Sequence, residues 1–153
     1  ATMGAVKSAL SKEVDDQGNV YYTVFWSALR KADRYEIISS VPSVPGIFEL
    51  YYQDEHKQMN LFFVSKAWYG GLRNWLRKAT DASLEENPGR RKLLTDHDCY
   101  YRYVEISSYG DMSDVLFFFA ETYFPRANRV QSSGRYPNIF VNEVSKEKII
   151  SVE

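Results

Sequence analysis

PGIFELYY at 45–52, QDEHKQMN at 53–60 and LFFVSKAWYGGLRNWLRK at 61–78 decide how this chain is read. Ile47–Tyr52 and Leu61–Ser65 are rich in β-branched and aromatic residues, and Gln53–Gln58 between them is wholly polar, the pattern of two strands joined by a hairpin. From Tyr69 to about Thr80, Leu72, Trp75, Leu76 and Ala79 fall at i, i+3, i+4 and i+7, so a helix with one apolar face follows the second strand. Val41-Pro42-Ser43-Val44-Pro45-Gly46 forbids regular structure just before the first strand.

Outward from this core the pattern is mixed. Residues 5–14 place Val6, Leu10 and Val14 on one side of a short helix. Asp15–Asn19 reads as a turn. Val20–Trp26 suits a strand or the opening of a helix, and a helix is favoured over roughly 27–35. Residues 81–98 are polar, broken by Asn87-Pro88-Gly89, and read as a loop with a short helix. Tyr100–Ser107 alternates as a strand. Ser113 is placed to cap a helix through Tyr123, apolar all round at Val115–Ala120 and therefore buried. Pro125 ends it, and 138–142 can add a short strand. The expected fold is one α/β (α+β) domain, a small central sheet flanked by helices. It divides into an N-terminal helical extension (1–40), the core (41–145) and a tail (146–153).

Composition excludes several classes. A net charge of −1 confines any attraction to nucleic acid or acidic membranes to local patches. The one cysteine, Cys99, rules out an intramolecular disulfide and a multi-cysteine zinc site. No apolar run approaches the ~18 residues of a membrane span. The opening ATMGAVKSALSKE is too polar for a secretory signal, so a cytoplasmic protein is expected. Asp96-His97-Asp98-Cys99 gathers ligand types, but neighbouring residues do not aim at one centre, and it reads as a solvated turn into the next strand. His56 sits at the exposed hairpin tip, Gly70-Gly71 reads as a loosened helix start, and no phosphate loop or nucleophile elbow is present. No metal or cofactor is implied.

Three pieces resemble the GIY-YIG nuclease family in their order along the chain. Val41–Phe48 looks like the proline-flanked lead into the first motif, and Phe63-Val64-Ser65-Lys66-Ala67 looks like the second. Tyr123-Phe124-Pro125-Arg126-Ala127-Asn128 is similar to the family's helix exit. The resemblance covers roughly residues 41–130. It implies a sheet whose first two strands each present a catalytic tyrosine, a helix presenting an arginine, and a metal-binding glutamate on the last helix. Here Phe48 and Phe63 stand at the tyrosine positions, and Leu116 stands at the glutamate. Phenylalanine lacks the hydroxyl that handles a proton, and leucine offers a cation no oxygen. Asp114 and Glu121 lie far around the helix from Leu116. The arginine is Arg73 by direct count, with Trp75 at its place by helix register and Arg77 nearby.

The expectation is thus a catalytically inactive relative that binds DNA or RNA. Residues 64–80 carry Lys66, Arg73, Arg77 and Lys78 with no acid, and Arg126, Arg129 and Arg135 lie in a second acid-free stretch. In the resembled fold both approach the nucleic-acid cleft, so the expected contacts are Lys66, Arg73, Arg77, Arg126, Asn128 and Arg129, with Trp68 or Tyr69 able to stack on a base. Two alternatives remain open. One is a protein-interaction module marked by an exposed apolar patch. The other is a divergent nuclease drawing its acid from Glu49 or Glu105.

Overall fold

The computed structural model describes residues 9–127 and 130–146. In chain order the elements are β1 (Leu10–Val14), β2 (Val20–Phe25), β3 (Arg30–Lys31), α1 (Arg34–Ser40), β4 (Gly46–Gln53), β5 (Met59–Ala67), α2 (Gly71–Ala79), α3 (Pro88–Asp96), β6 (Cys99–Glu105), α4 (Tyr109–Tyr123) and β7 (Ile139–Val144). They form a mixed α+β fold with two sheets, ordered β1-β2-β7 and β3-β6-β4-β5. No helix among the described residues is long and apolar enough to cross a membrane.

The hairpin and its helix stand where the sequence puts them. Asp54 turns the β4–β5 tip, its carboxylate accepting the N–H groups of His56 and Gln58 at 2.9 Å each. β4 then pairs with β6 on its other edge, antiparallel. Alternation along β4 sends Phe48 and Leu50 into a core under α1 and α2, with Ile37, Leu72, Leu76 and Tyr101. Ile47 on the opposite face joins Trp26, Val104, Val115 and Phe119 in a second core under α4 and the β1-β2-β7 sheet. The β4-bearing sheet is therefore the middle layer.

The proline segment has a specific task at the start of α2. The cap residue Gly70 supplies no side-chain bond. Instead the N–H of Leu72 donates to the carbonyl of Val44 at 2.8 Å and that of Arg73 to the carbonyl of Pro42 at 3.3 Å, satisfying donors a helix start leaves open. Gly70 and Gly71 both have positive φ, 85° and 76°, so the pair is a required turn rather than a loosened helix. A Cβ on Gly71 would lie 2.7 Å from the backbone of Ser43. Gly71→Ala is expected to cost about 2 kcal/mol or more, from the left-handed backbone and the clash together. An unchanged urea midpoint contradicts that.

The N-terminal region differs from the helical extension expected. Residues 10–14 are a strand, paired antiparallel with β2 from Leu10↔Val24 to Val14↔Val20. A spacing of four residues is also a multiple of two, so Leu10 and Val14 share a face in a strand as they would in a helix. The 27–35 helix is replaced by a two-residue bridge at Arg30–Lys31 and by α1, which Asp33 caps by accepting the Glu36 N–H. The cap of α4 is Ser108, not Ser113: its hydroxyl accepts the Asp111 N–H and the helix begins five residues earlier. β7 extends to Val144 and pairs in parallel with β2.

Two buried polar networks lock the layers. Arg102 Nε donates to Glu49 at 2.6 Å, its NH2 group reaches Glu143 at 3.4 Å, and its guanidinium lies 4.4 Å from the centre of the Trp26 indole. Tyr51 also donates to Glu49, at 2.6 Å. Glu49 is fully buried, and its second carboxylate oxygen has no hydrogen-bond partner among the described residues. Burial raises the Glu49 carboxyl above its usual range, against the pull of Arg102 and Tyr51. On the other side, buried Asp114 accepts from Tyr22, Ser133 and Arg135, and Arg135 also bridges to Asp111 at 2.9 Å. This fixes the 130–136 segment on α4.

Candidate nucleic-acid interface

α2 buries Leu72 and Leu76 and turns Trp75, Arg77 and Lys78 outward. The sequence reading put Trp75 on the apolar face; it sits at that face's margin, 38 % exposed. Its indole N–H donates to the carbonyl of Tyr69, a residue 83 % exposed, and Lys78 Nζ lies 6.0 Å from the indole centre. Across from α2, α1 begins with exposed Arg34 and Tyr35. Between the two helices lies a cleft of about 510 Å³ lined by Arg34, Asn74, Arg77, Lys78, Thr80 and Asp81 among others.

Positive charge in this cleft is only partly compensated. Lys12, Arg30, Lys31, Arg90, Lys92, Arg102 and Arg135 each sit against a carboxylate. Among the described residues Arg34, Arg77 and Lys78 make no such pair. Asp81 faces the same cleft, but one oxygen is occupied by the N–H and hydroxyl of Ser83 at 3.0 and 2.6 Å. Those bonds, with the charge of Arg34, hold its carboxyl below the usual range. It is ionised at neutral pH, so three cations face one anion.

The other expected contacts lie elsewhere. Arg73 is half-buried, and its Nε donates to the Val41 carbonyl at 2.7 Å, which ties α2 to the end of α1. Lys66 lines a different cleft, of about 630 Å³, with Tyr109, Ser113, Leu116 and Ser133, and donates to the Tyr109 hydroxyl at 2.8 Å. Arg126 is exposed in a short 3-10 turn after α4. Asn128 and Arg129 lie outside the described residues. Trp68 packs edge-on against Tyr109 and toward the core, so of the two residues expected to stack on a base only Tyr69 is exposed. Arg135, in an acid-free stretch of sequence, is neutralised by Asp111 and Asp114 from α4.

The three motif positions do not meet. Phe48 is fully buried with its ring 6.0 Å from that of Phe63, on the α1–α2 side. Leu116 belongs to the core on the opposite face of the same sheet. Arg90 stacks over Phe63 at 4.5 Å. Of the acids considered as substitutes, Glu49 is sealed inside the fold and Glu105 is half-buried at the end of β6. The Asp96–Cys99 stretch runs from the last residue of α3 through His97 and Asp98 into the first residue of β6: Asp96 pairs with Lys92, Asp98 with Lys31, and the His97 ring packs 4.9 Å from Tyr52. Cys99 is buried, and burial pushes its thiol up to about 11, which leaves it unreactive at neutral pH.

Arg34 was missed in the sequence because the helix was placed too early. Asp33-Arg34-Tyr35-Glu36, a capping residue followed three positions later by an acid, carried the signal. Lys78 stood inside the basic run but was not singled out.

Neither a curated protein nor a solved structure matches this chain. A family model described as an uncharacterised protein matches residues 9–153, and the chain belongs to that family.

Proposed function

We propose that this protein is a catalytically inactive, GIY-YIG-like domain of the cytoplasm that binds single-stranded nucleic acid on its α1–α2 face. The observation that carries the reading is the clustering of ion-pair-free Arg34, Arg77 and Lys78 around one cleft, with Lys78 Nζ 6.0 Å from the centre of the exposed Trp75 indole. Cations next to flat exposed aromatics suit a strand whose phosphates and bases are both accessible. A hairpin running directly into a basic helix is in keeping with the resemblance, and Phe48, Phe63 and Leu116 supply neither proton transfer nor metal ligation.

The test is fluorescence anisotropy with labelled single-stranded and duplex DNA and RNA at low and physiological salt. Single strands are expected to bind more tightly than duplexes, with affinity falling as salt rises. No binding to any form at low salt overturns the reading.

One observation favours a second reading, a protein-interaction module. The outer face of the β1-β2-β7 sheet displays Tyr21, Phe25, Phe140 and Val144, with the Tyr21 and Phe140 rings stacked at 5.0 Å. Apolar sheet faces pack on one another, so the occupant under this reading is a second copy of the chain. A monomer at high concentration by analytical ultracentrifugation contradicts it.

A further inference from the structure

We infer that the cleft between α1 and α2 is a subsite for a terminal phosphomonoester of the bound strand, an inference that rests on the nucleic-acid reading. Three observations lead there. The first is charge: Arg34, Arg77 and Lys78 against Asp81 leave two positive charges in excess. A phosphomonoester carries about −1.5 to −2 at neutral pH, whereas an internal phosphodiester carries one charge, so the cleft matches the end of a strand better than its middle.

The second is shape. The cleft is a space of about 510 Å³ set between Arg34 of α1 and Asn74, Arg77 and Lys78 of α2, so cations from two elements converge on one group-sized space. The third is adjacency. Lys78 lines the cleft and also lies against the Trp75 ring, so a phosphate held at Lys78 brings its own nucleoside within reach of the indole. Asn74 adds an amide to the wall. Arg77 and Lys78 partly offset the negative end of the α2 dipole; Arg34, arriving from another helix, carries no such load and is the residue on which the end preference depends.

The experiment compares strands of one sequence with a 5′-phosphate or a 5′-hydroxyl, labelled at the 3′ end, and the reverse set for the 3′-phosphate. One phosphorylated end is expected to bind about tenfold more tightly than its hydroxyl counterpart, the effect of one charge-assisted contact. Arg34→Gln is expected to bring the ratio of phosphate-ended to hydroxyl-ended affinity to about one, over and above the roughly two- to fivefold loss that one exposed cation contributes to both strands. The preference is also expected to shrink as pH falls through about 6, where the phosphate takes its second proton. Adenosine monophosphate and inorganic phosphate serve as competitors. Displacement by the free nucleotide as effectively as by the phosphorylated strand shows that the cleft takes free mononucleotides, which overturns the strand-end assignment. Equal affinity for phosphate and hydroxyl ends overturns the subsite and leaves the nucleic-acid reading standing. No strand binding at all overturns both.

Discussion

Changing Arg34, Arg77 and Lys78 together to glutamine is expected to weaken single-strand binding about 10- to 100-fold at low salt. Each exposed cation contributes roughly 0.5–1 kcal/mol where a phosphate replaces solvent and counterions, and three acting on one strand add to that range. All three side chains are exposed and outside any ion pair among the described residues. Their removal should therefore leave the unfolding midpoint nearly unchanged, which separates lost binding from lost folding. The matching change of Lys66 and Arg73, which structure assigns to a second cleft and to the Val41 carbonyl, is expected to affect affinity much less. A larger loss from the Lys66/Arg73 pair than from the triple change contradicts the placement of the interface.

Arg102→Met is expected to cost about 3–5 kcal/mol of stability, because it leaves the buried Glu49 carboxyl without its cation. The guanidinium also covers Trp26 and reaches Glu143 on β7, so its loss loosens the contact between the two sheets. Glu49 is raised in the folded protein by burial. A raised carboxyl contributes most below its unfolded value near 4.5, and that contribution is lost as pH climbs through the folded value. Without Arg102 the folded value rises further, so the penalty should grow as pH rises and shrink as pH falls and Glu49 takes a proton. Urea unfolding of both proteins across a pH series measures it. A penalty that does not depend on pH contradicts the assignment to Glu49.

How much of this was legible in the sequence depended on whether the deciding contact was local. The β4–β5 hairpin and α2 were readable because Pro42, Pro45 and Gly46 punctuate the chain and the periods of two and four residues are unmixed there. The 10–14 stretch was not, since Leu10 and Val14 satisfy either period, and its pairing with β2 decides the matter. Arg135 looked free because its acids come from α4, more than twenty residues away. The cationic cleft was half visible: Arg77 and Lys78 lie in the basic run, but Arg34 joins them only because Asp33 starts α1 where it does. The division of Phe48 and Leu116 between opposite faces of one sheet follows from strand alternation and the packing of α4, which no linear spacing records.

The most direct test of the central claim is a salt titration of single-strand affinity for the wild-type protein and the Arg34→Gln/Arg77→Gln/Lys78→Gln variant side by side. For single strands the plot of log affinity against log salt falls by about 0.7 per phosphate neutralised, so losing three contacts should flatten the slope by about 2. That flattening is the predicted result. Parallel slopes for the two proteins would contradict an interface built on the α1–α2 cations.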